Sequence, residues 1–439
     1  MAGLPAALVA QHALVSLARP RATATKSTRS KAKPIPKTTT KPGVTKLDPK
    51  VLRAAKAHQL RPAHVRGAIL DKGLPESQLR IRRMRRFGRR GAMKLKPRLD
   101  VAKFAPALHA KLHASVNGYA WQLRQNGATI ATGNWEWAQT TKNAGQGWTS
   151  DTRMHIASVS KLMTAMAMAH RLDRINRSYD WTINDYLPDY WVKGPDTNKL
   201  TFRRLMTHRS GFSSGGSASD YAFMKAQYAA GVAGRIGMYD YENMNFGLCR
   251  ILIPVLFGWI HPSESFGNST DHIWDYRTTL RFEEYCQTHL FSPSGVSNIG
   301  FAPTGKRALA YRFPHSGVSG WNSGDLRSVS GGAGFRMSIN ELLNVMGTFR
   351  RGGTILSPTK AQEMLDAGLG IDQIIETPAG NLYNKNGAWG DSDVNTRLEQ
   401  SVAFFMPNNM ELALFVNSPI KNNGSLRNTV TDTFIENIG

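Results

Sequence analysis

A long, nearly uncharged run of helix-favouring residues in the middle of the chain constrains the fold more than any other feature. Between residues 160 and 172, apolar side chains recur at helical spacing, at Leu162, Ala165, Met166, Ala169 and Leu172. A helix with so few charges is stable only when a core surrounds it. The sequence therefore predicts a globular domain built around one buried helix.

A serine and a lysine lie where this helix begins. Ser158 and Lys161 are three residues apart, so a helix that starts near Ala157 places them on one face, one turn apart. A serine hydroxyl needs a neighbour that removes its proton, and a lysine in an apolar pocket can lose its charge and do so. This spacing also occurs by chance, but a lysine that opens a buried helix is either paired or chemically employed. The pair is therefore a candidate nucleophile with its activator.

The basic charge of the chain is concentrated at its N-terminus. Of the formal net charge of +25, residues 1–100 contribute +21, from 25 Lys or Arg against 4 Asp or Glu. The whole chain has 56 Lys or Arg and 31 Asp or Glu, so 31 basic and 27 acidic residues remain after residue 100, a net charge of +4. Arg19–Lys46 is rich in Thr, Ser, Lys and Pro and has no acidic residue, which is typical of a linker or an organelle presequence. We expect residues 1–98 to be a basic, largely disordered extension (linker or targeting segment) and residues 99–439 to form the folded domain.

The extension contains an arginine-rich block, Arg80–Arg90. Such a block attracts nucleic acid, an acidic membrane surface or another anionic polymer through charge alone. The alternative is a solvated tail with no dedicated partner. The block matches no sequence-specific nucleic-acid motif. The longest apolar run, Ile251–Ile260, is well short of the ~18 residues that span a bilayer, so we expect no transmembrane helix.

The chain has two cysteines, Cys249 and Cys286. Two are too few for a disulfide framework or a zinc site, and we expect no metal. Two buried free thiols are favoured, and a single bridge between them is the open alternative.

Strand signals lie near both ends of the folded part, and helical signals lie between them. Asn126-Gly127 joins two apolar segments, 118–124 and 128–132, as a tight hairpin turn would. Two further apolar segments, 401–406 and 411–416, form a second hairpin. Helices are predicted at 100–115, capped by Asp100, after Ser338, which with Glu341 fits a capping box, and at the C-terminus. The predicted fold is α/β (α+β): an antiparallel sheet built from both ends of the folded part, flanked by helices, with an all-helical subdomain.

Two further polar motifs follow the serine in order. Tyr241-Glu-Asn243 directly precedes a helix, and Lys385-Asn386-Gly387-Ala388 lies just ahead of the C-terminal strands. Taken singly, Tyr241 is more often a core tyrosine and Lys385 a surface lysine. Their joint order after Ser158 and Lys161 gives them weight.

These residues resemble the motifs of the penicillin-recognising serine hydrolases, the branch that holds class C β-lactamases, D-Ala-D-Ala carboxypeptidases and related esterases. The signatures Ser-x-x-Lys, Tyr-x-Asn and Lys-Thr-Gly correspond to Ser158–Lys161, Tyr241–Asn243 and Lys385–Gly387. Two segments, 186–188 and 200–212, are similar to the Tyr-Leu-Pro and Leu-Leu-Thr-His-x-Ser-Gly segments of the branch. The resemblance covers roughly residues 100–439 and implies a β-lactamase/transpeptidase-like fold.

The resemblance also implies catalytic roles. Ser158 would be the nucleophile that forms an acyl-enzyme. Lys161 and Tyr241 would share proton transfer, with Tyr241 as the base and its pKa lowered by Lys161 and Lys385. No cofactor is implied.

Substrate-binding roles follow in the same way. Asn243 would hold the substrate amide, and Lys385 would offer positive charge to a substrate carboxylate. The backbone N–H groups of Ser158 and Ala388 would form the oxyanion hole, with Gly387 beside them in the third motif.

The third motif departs from the pattern of the branch at Asn386, where Thr or Ser is common. Because that hydroxyl helps to bind the substrate carboxylate, the departure puts penicillin recognition in doubt but not hydrolysis. A rival third motif, His315-Ser-Gly317, resembles the His-x-Gly of some members, but it precedes the Gly331-Gly332 helix start instead of following it.

The leading hypothesis is a serine hydrolase that cleaves an amide or ester in a small-molecule or peptide substrate of the D-amino-acid or β-lactam type. The alternatives are a small-ester hydrolase of the same fold and a non-catalytic scaffold whose basic tail binds an anionic polymer. By analogy, the resemblance favours a periplasmic or secreted location. Leu4–Ala18 is a poor secretory signal, and the basic N-terminus leaves organelle import open.

Overall fold

The computed structural model describes residues 47–58, 67–84, 97–215, 218–315, 317–391 and 397–439. Its helices are α1 (Pro49–Ala57), α2 (Val101–Leu112), α3 (Ser160–Arg174), α4 (Phe202–Met206), α5 (Tyr221–Ala230), α6 (Met244–Phe257), α7 (Thr270–Cys286), α8 (Ile339–Gly347), α9 (Pro358–Asp366) and α10 (Leu426–Glu436). Its strands are β1 (Ala68–Ile69), β2 (Arg80–Arg82), β3 (Gly118–Gln125), β4 (Ala128–Gln139), β5 (Gln146–Gly147), β6 (Met154–His155), β7 (Arg336–Met337), β8 (Gln373–Thr377), β9 (Gly380–Gly390), β10 (Leu398–Met406) and β11 (Met410–Val416).

The main sheet is built from both ends of the folded part, as predicted. Its strand order in the described residues is β2-β8-β9-β10-β11-β3-β4-β5, with β1 paired to β9. β11 pairs antiparallel with β3, with Leu414 opposite Trp121, which joins the C-terminal hairpin to the N-terminal one. β2 and β8 form the one parallel pair among these strands. A second, two-stranded sheet pairs β6 with β7.

Local sequence signals set several element boundaries. Asn126 and Gly127 both have positive φ, 52° and 87°, which matches the right-handed twist of the β3-β4 hairpin. The Asp100 side chain accepts a hydrogen bond from the N–H of Lys103 and caps α2. Ser338 and Glu341 form the predicted capping box at the start of α8.

The sheet separates two apolar cores. One face, with side chains such as Trp121, Phe404 and Leu412, packs against α2 and α10. The larger core lies on the other face around α3 and α6, and every residue of α3 from Ser160 to His170 is buried. The serine-bearing helix is therefore the buried helix that the sequence predicts.

Two parts of the N-terminal extension have defined structure against the rest of the described chain. After α1, the His58 imidazole lies 2.7 Å from the Asp275 carboxylate on α7. β1 pairs with β9, and β2 pairs with β8. The domain boundary at residue 98 stays a prediction, and residues 1–46 lie outside the described residues.

Cys249 and Cys286 are buried free thiols, which confirms the favoured prediction. None of the helices in the described residues is both long and apolar enough to cross a membrane. No cluster of three metal-binding side chains is found in the same parts of the chain.

Candidate active site

A tight turn presents Ser158 at the start of α3. Residues Ala157–Val159 form a 3-10 turn that runs directly into the helix, and Ala157 has a positive φ of 46°. Because L-residues rarely adopt this conformation, the surrounding contacts must hold the turn in place. The Ser158 side chain is fully buried.

Lys161 lies beside Ser158 as the helical spacing predicts. Its Nζ is 2.9 Å from Ser158 Oγ, and it donates a hydrogen bond of 2.7 Å to the carbonyl oxygen of Gly332. Burial, and then the charge of Lys385, hold the pKa of Lys161 well below its ordinary value. A neutral amine that donates to Gly332 can direct its lone pair at the hydroxyl of Ser158, which is the geometry of a general base.

The turn that supplies this carbonyl requires glycine. Gly331 has φ +89°, and a Cβ on it would lie 2.3 Å from the carbonyl oxygen of Phe246. The Gly331 carbonyl accepts a hydrogen bond from Thr164 Oγ1 at 2.8 Å. The Gly331-Gly332 turn therefore anchors both Lys161 and the helix that carries it.

Tyr241 approaches from the start of α6 and lies between the two lysines. Lys385 Nζ donates to its phenol oxygen at 3.3 Å, and the Nζ atoms of Lys161 and Lys385 are 5.1 and 5.0 Å from its ring centroid. Burial raises the pKa of Tyr241 well above its ordinary value. Asp71 and Asp372 raise that pKa further, against a hydrogen bond with Ser158 that lowers it. The implied lowering of this pKa is thus wrong, because burial and the two carboxylates raise it.

His208 was not predicted as a site residue, although it lies in the segment 200–212. Its ring stacks on that of Tyr241, with centroids 4.2 Å apart. Its Nδ1 accepts the N–H of Glu242 at 3.0 Å, so Nε2 carries the proton. Burial, with Lys385 and Lys161, holds the pKa of His208 well below its ordinary value, so the ring that supports Tyr241 is neutral.

Asn243 follows Tyr241 at the start of α6. Both polar atoms of its side chain are buried and have no hydrogen-bond partner among the described residues. An amide buried in this way costs free energy unless a ligand or water satisfies it. Asn243 is therefore the candidate to hold a polar group of the substrate.

Lys385 is held by an acidic residue that lies outside the three motifs. Its Nζ forms a buried ion pair with Asp372 Oδ1, while Asp372 Oδ2 accepts the backbone N–H of Asn386 at 2.9 Å. Arg427 of α10 lies 3.4 Å from the same carboxylate. The one sequence signal that could have pointed to Asp372 is its position as a charged residue directly before the segment that forms β8.

The other third-motif residues lie along β9. Asn386 Oδ1 is buried and has no partner among the described residues. A Cβ on Gly387 would lie 2.4 Å from the Ile156 carbonyl oxygen and 2.9 Å from the backbone nitrogen of Ser158. Only glycine lets β9 pass this close to the serine turn. Ala388 follows, and the oxyanion hole of Ser158 and Ala388 stays a prediction.

The rival motif does not join this cluster. The described contact of His315 is with its own turn, where Nδ1 lies 3.4 Å from the N–H of Gly317. In the third-motif position, Lys385 rather than His315 donates a hydrogen bond to Tyr241.

A residue of the N-terminal extension does join the cluster. Asp71 Oδ2 lies 3.5 Å from the Tyr241 phenol oxygen. Nothing in the three motifs pointed to Asp71, because it precedes Ser158 by more than eighty residues.

Comparison with known proteins gives a consistent result. Residues 101–390, more than half of the chain, match the family described as Beta-lactamase. The putative penicillin-binding protein PbpX of Bacillus subtilis (strain 168) is 22% identical over 199 residues, 44% of each chain. The chain thus matches less than half the length of this curated relative.

Solved structures share the fold at low sequence identity. FmtA from Staphylococcus aureus superimposes with a TM-score of 0.57 at 16% identity, over 79% of this chain and 93% of that one. The D-amino acid amidase from Ochrobactrum anthropi SV3 superimposes with a TM-score of 0.53 at 18% identity, over 76% and 98%. Penicillin-binding proteins and class C beta-lactamases are also among these neighbours.

Proposed function

The chain belongs to the beta-lactamase family, and we propose from this that it is a serine hydrolase that cleaves an amide or ester through an acyl-enzyme on Ser158. The observation that carries the proposal is the contact between Ser158 Oγ and Lys161 Nζ, 2.9 Å apart, with the pKa of Lys161 well below its ordinary value. A lowered pKa makes it easier for the buried amine to lose its charge, and the neutral amine has the free lone pair that can accept the proton of the serine hydroxyl.

In the first step, Lys161 removes the hydroxyl proton as Ser158 Oγ bonds to the substrate carbonyl carbon. The negative charge that develops on the carbonyl oxygen is stabilised by the backbone N–H groups of Ser158 and Ala388. Removing one such donor typically raises the barrier by about 3 kcal/mol. The raised pKa of Tyr241 keeps its phenol protonated, so we assign it the role of acid rather than base.

In the second step, the bond to the leaving group breaks and Tyr241 gives its proton to the departing nitrogen or oxygen. Lys385, 3.3 Å from the phenol oxygen, stabilises the phenolate, which regains a proton from Lys161. Water then attacks the carbonyl carbon of the ester on Ser158 while Lys161 accepts its proton, and Lys161 returns that proton to Ser158 Oγ as the bond between Oγ and the acyl group breaks. Asn243, whose amide has no partner among the described residues, binds the substrate amide.

The substrate that these groups favour is a D-amino-acid peptide or a β-lactam that has a carboxylate near Lys385. Lys385 and Arg427 are two cations close to one carboxylate of residues 99–439, that of Asp372. These three groups together have a net positive charge. The fold neighbours of the chain include a D-amino acid amidase and class C beta-lactamases.

The alternative is an ester hydrolase. Asn386 replaces the hydroxyl that would bind a carboxylate, and Lys385 is already paired with Asp372. Both features favour a substrate that has no carboxylate.

One experiment separates these functions. Purified full-length protein is incubated for hours with benzylpenicillin or with a panel of nitrophenyl esters, and intact mass and nitrophenol release are followed. We expect a penicillin adduct that Ser158→Ala abolishes, while Ser160→Ala on the adjacent turn still forms one. Ester turnover without any adduct would favour the esterase. Hydrolysis unchanged in Ser158→Ala would favour the non-catalytic scaffold.

A further inference from the structure

One edge of β9, next to the nucleophile, extends beyond its neighbouring strand. β8 pairs with β9 only from Gly380 to Asn384, whereas β9 continues to Gly390. An open strand edge accepts an extended peptide by main-chain hydrogen bonds. Here the chain itself fills the edge: Ala68 and Ile69 pair with Gly390 and Trp389, and the N–H of Leu70 donates to the Ala388 carbonyl at 3.0 Å.

Apolar packing holds the same stretch against the serine turn. Ile69 is only 8% exposed and belongs to a small core with Ala157, Trp321 and Trp389. Ala157 is the residue directly before Ser158. Burial of the isoleucine side chain stabilises this contact.

Asp71, two residues later, brings a carboxyl group to the catalytic cluster. It lies 3.5 Å from the Tyr241 phenol oxygen, and Lys385 and Arg427 both attract its charge. Asp71 is thus the second carboxyl group, after Asp372, that lies near the cations Lys385 and Arg427. In the proposed function, a substrate carboxylate would bind at these cations. Burial, and then Asp372, raise the pKa of Asp71, which disfavours the charged form of this carboxyl in the groove.

The chain then crosses Tyr241 and is held on its far side. A Cβ on Gly73 would lie 2.6 Å from Cβ of Tyr241, so the backbone itself rests on this residue. Glu76 forms an ion pair of 2.8 Å with Arg209, and β2 continues the path along β8. With this stretch in place, Ser158 and Lys161 are fully buried and Lys385 is 1% exposed.

We propose that residues 67–75, which we name the blocking segment, occupy the substrate groove as an internal inhibitor, and that the hydrolase acts at full rate only when the segment leaves the groove. The inference rests on the proposed function. It goes beyond that function, because neither the catalytic motifs nor the matched family region includes residues 67–75.

The test uses full-length protein with the double substitution Leu70→Pro/Asp71→Ala. Proline removes the N–H that donates to Ala388, and alanine removes the carboxyl at Tyr241. We expect nitrophenyl ester turnover and fluorophosphonate labelling of Ser158 to rise at least tenfold. The matched control is Lys72→Ala, at an exposed position of the same segment, which should leave both rates at the wild-type value. Unchanged circular dichroism would show that the double variant is folded.

A second measurement does not depend on that substitution. A synthetic peptide of residues 67–75 should inhibit the double variant competitively, and the same peptide with Ala in place of Asp71 should inhibit at least several-fold more weakly. Wild-type rates already equal to those of the double variant, or no inhibition by the peptide, would overturn the blocking role but leave the hydrolase intact. No reaction in any of these proteins would overturn the hydrolase and the block together.

Discussion

Lys161 and Tyr241 show how single residues acquire their roles from their surroundings. Both are buried next to Ser158, and burial moves the two pKa values in opposite directions, since it disfavours the charged form of each. In the proposed mechanism, the amine is therefore the base and the phenol the acid. Two groups whose pKa values are driven apart in this way can divide the work of proton transfer.

The pH dependence of hydrolysis tests this assignment. Lysine reacts as the neutral amine, so activity should rise with pH through the pKa of Lys161. The charge of Lys385 lowers that pKa, whereas Asp372 raises it. Lys385→Ala removes the charge that lowers the pKa of Lys161, and Asp372 loses Lys385 as an ionic partner. The pKa of Lys161 should therefore rise, and the acidic limb of kcat/KM should move to higher pH. Lys385→Arg keeps the charge and should leave the limb near its wild-type position. A limb that stays in place or moves downward in Lys385→Ala would contradict the assignment of Lys161 as base.

Asp372 is one of the site residues that sequence reasoning missed, together with His208 and Asp71. The motif identified Lys385, but its partner lies thirteen residues earlier, directly before β8, and only the β8-β9 pairing brings the two together. Gly387 is the opposite case. It was predicted as a substrate-binding residue of the third motif, and the close approach of β9 to the serine turn explains why the position is glycine.

At the scale of elements, a buried ion pair joins α6 to α7. Arg250 Nη1 lies 2.6 Å from Asp275 Oδ1, and both side chains are fully buried. The other carboxylate oxygen of Asp275 contacts His58, which follows α1. The Asp275 carboxylate therefore connects α6 and α7 with part of the N-terminal extension.

Removing the arginine should be costly. Arg250→Met leaves the Asp275 carboxylate buried, with the His58 imidazole beside it. Breaking a buried ion pair in this way typically lowers the free energy of unfolding by about 3–5 kcal/mol. The control is Arg281→Met on α7, whose exposed pair with Glu284 should contribute less than about 1 kcal/mol. Urea unfolding followed by tryptophan fluorescence measures both. Equal midpoints for the two variants would show that the buried pair adds no more than the exposed one.

At the scale of the whole molecule, charge and chemistry lie in different parts of the chain. The first hundred residues carry +21 of the net +25, whereas the remainder, which holds the three motifs, is nearly balanced. Electrostatic binding to a polyanion should therefore depend on the extension.

Binding to a DNA duplex of arbitrary sequence, used as a polyanion probe, measures this separation. Replacing Arg85, Arg86, Arg89 and Arg90 with Gln should weaken binding and reduce the slope of log K against log salt, by about 0.9 for each phosphate that the protein no longer neutralises. The matched control replaces four exposed or half-buried cations of the body with Gln: Arg177, Lys193, Arg281 and Lys306. An equal decrease of affinity in both proteins would show that the extension has no special part in binding.

The sequence by itself determined what depends on neighbours along the chain. Helical spacing placed Lys161 against Ser158, the Asn126-Gly127 pair set a hairpin, and Ser338 with Glu341 capped a helix, because each signal acts within a few residues. Only the tertiary structure decided which distant groups meet those residues. Asp372 reaches Lys385 and Asp71 reaches Tyr241 through strand pairing, and the direction of the Tyr241 pKa follows from that burial and charge. Such contacts join segments far apart in sequence, so no local pattern specifies them.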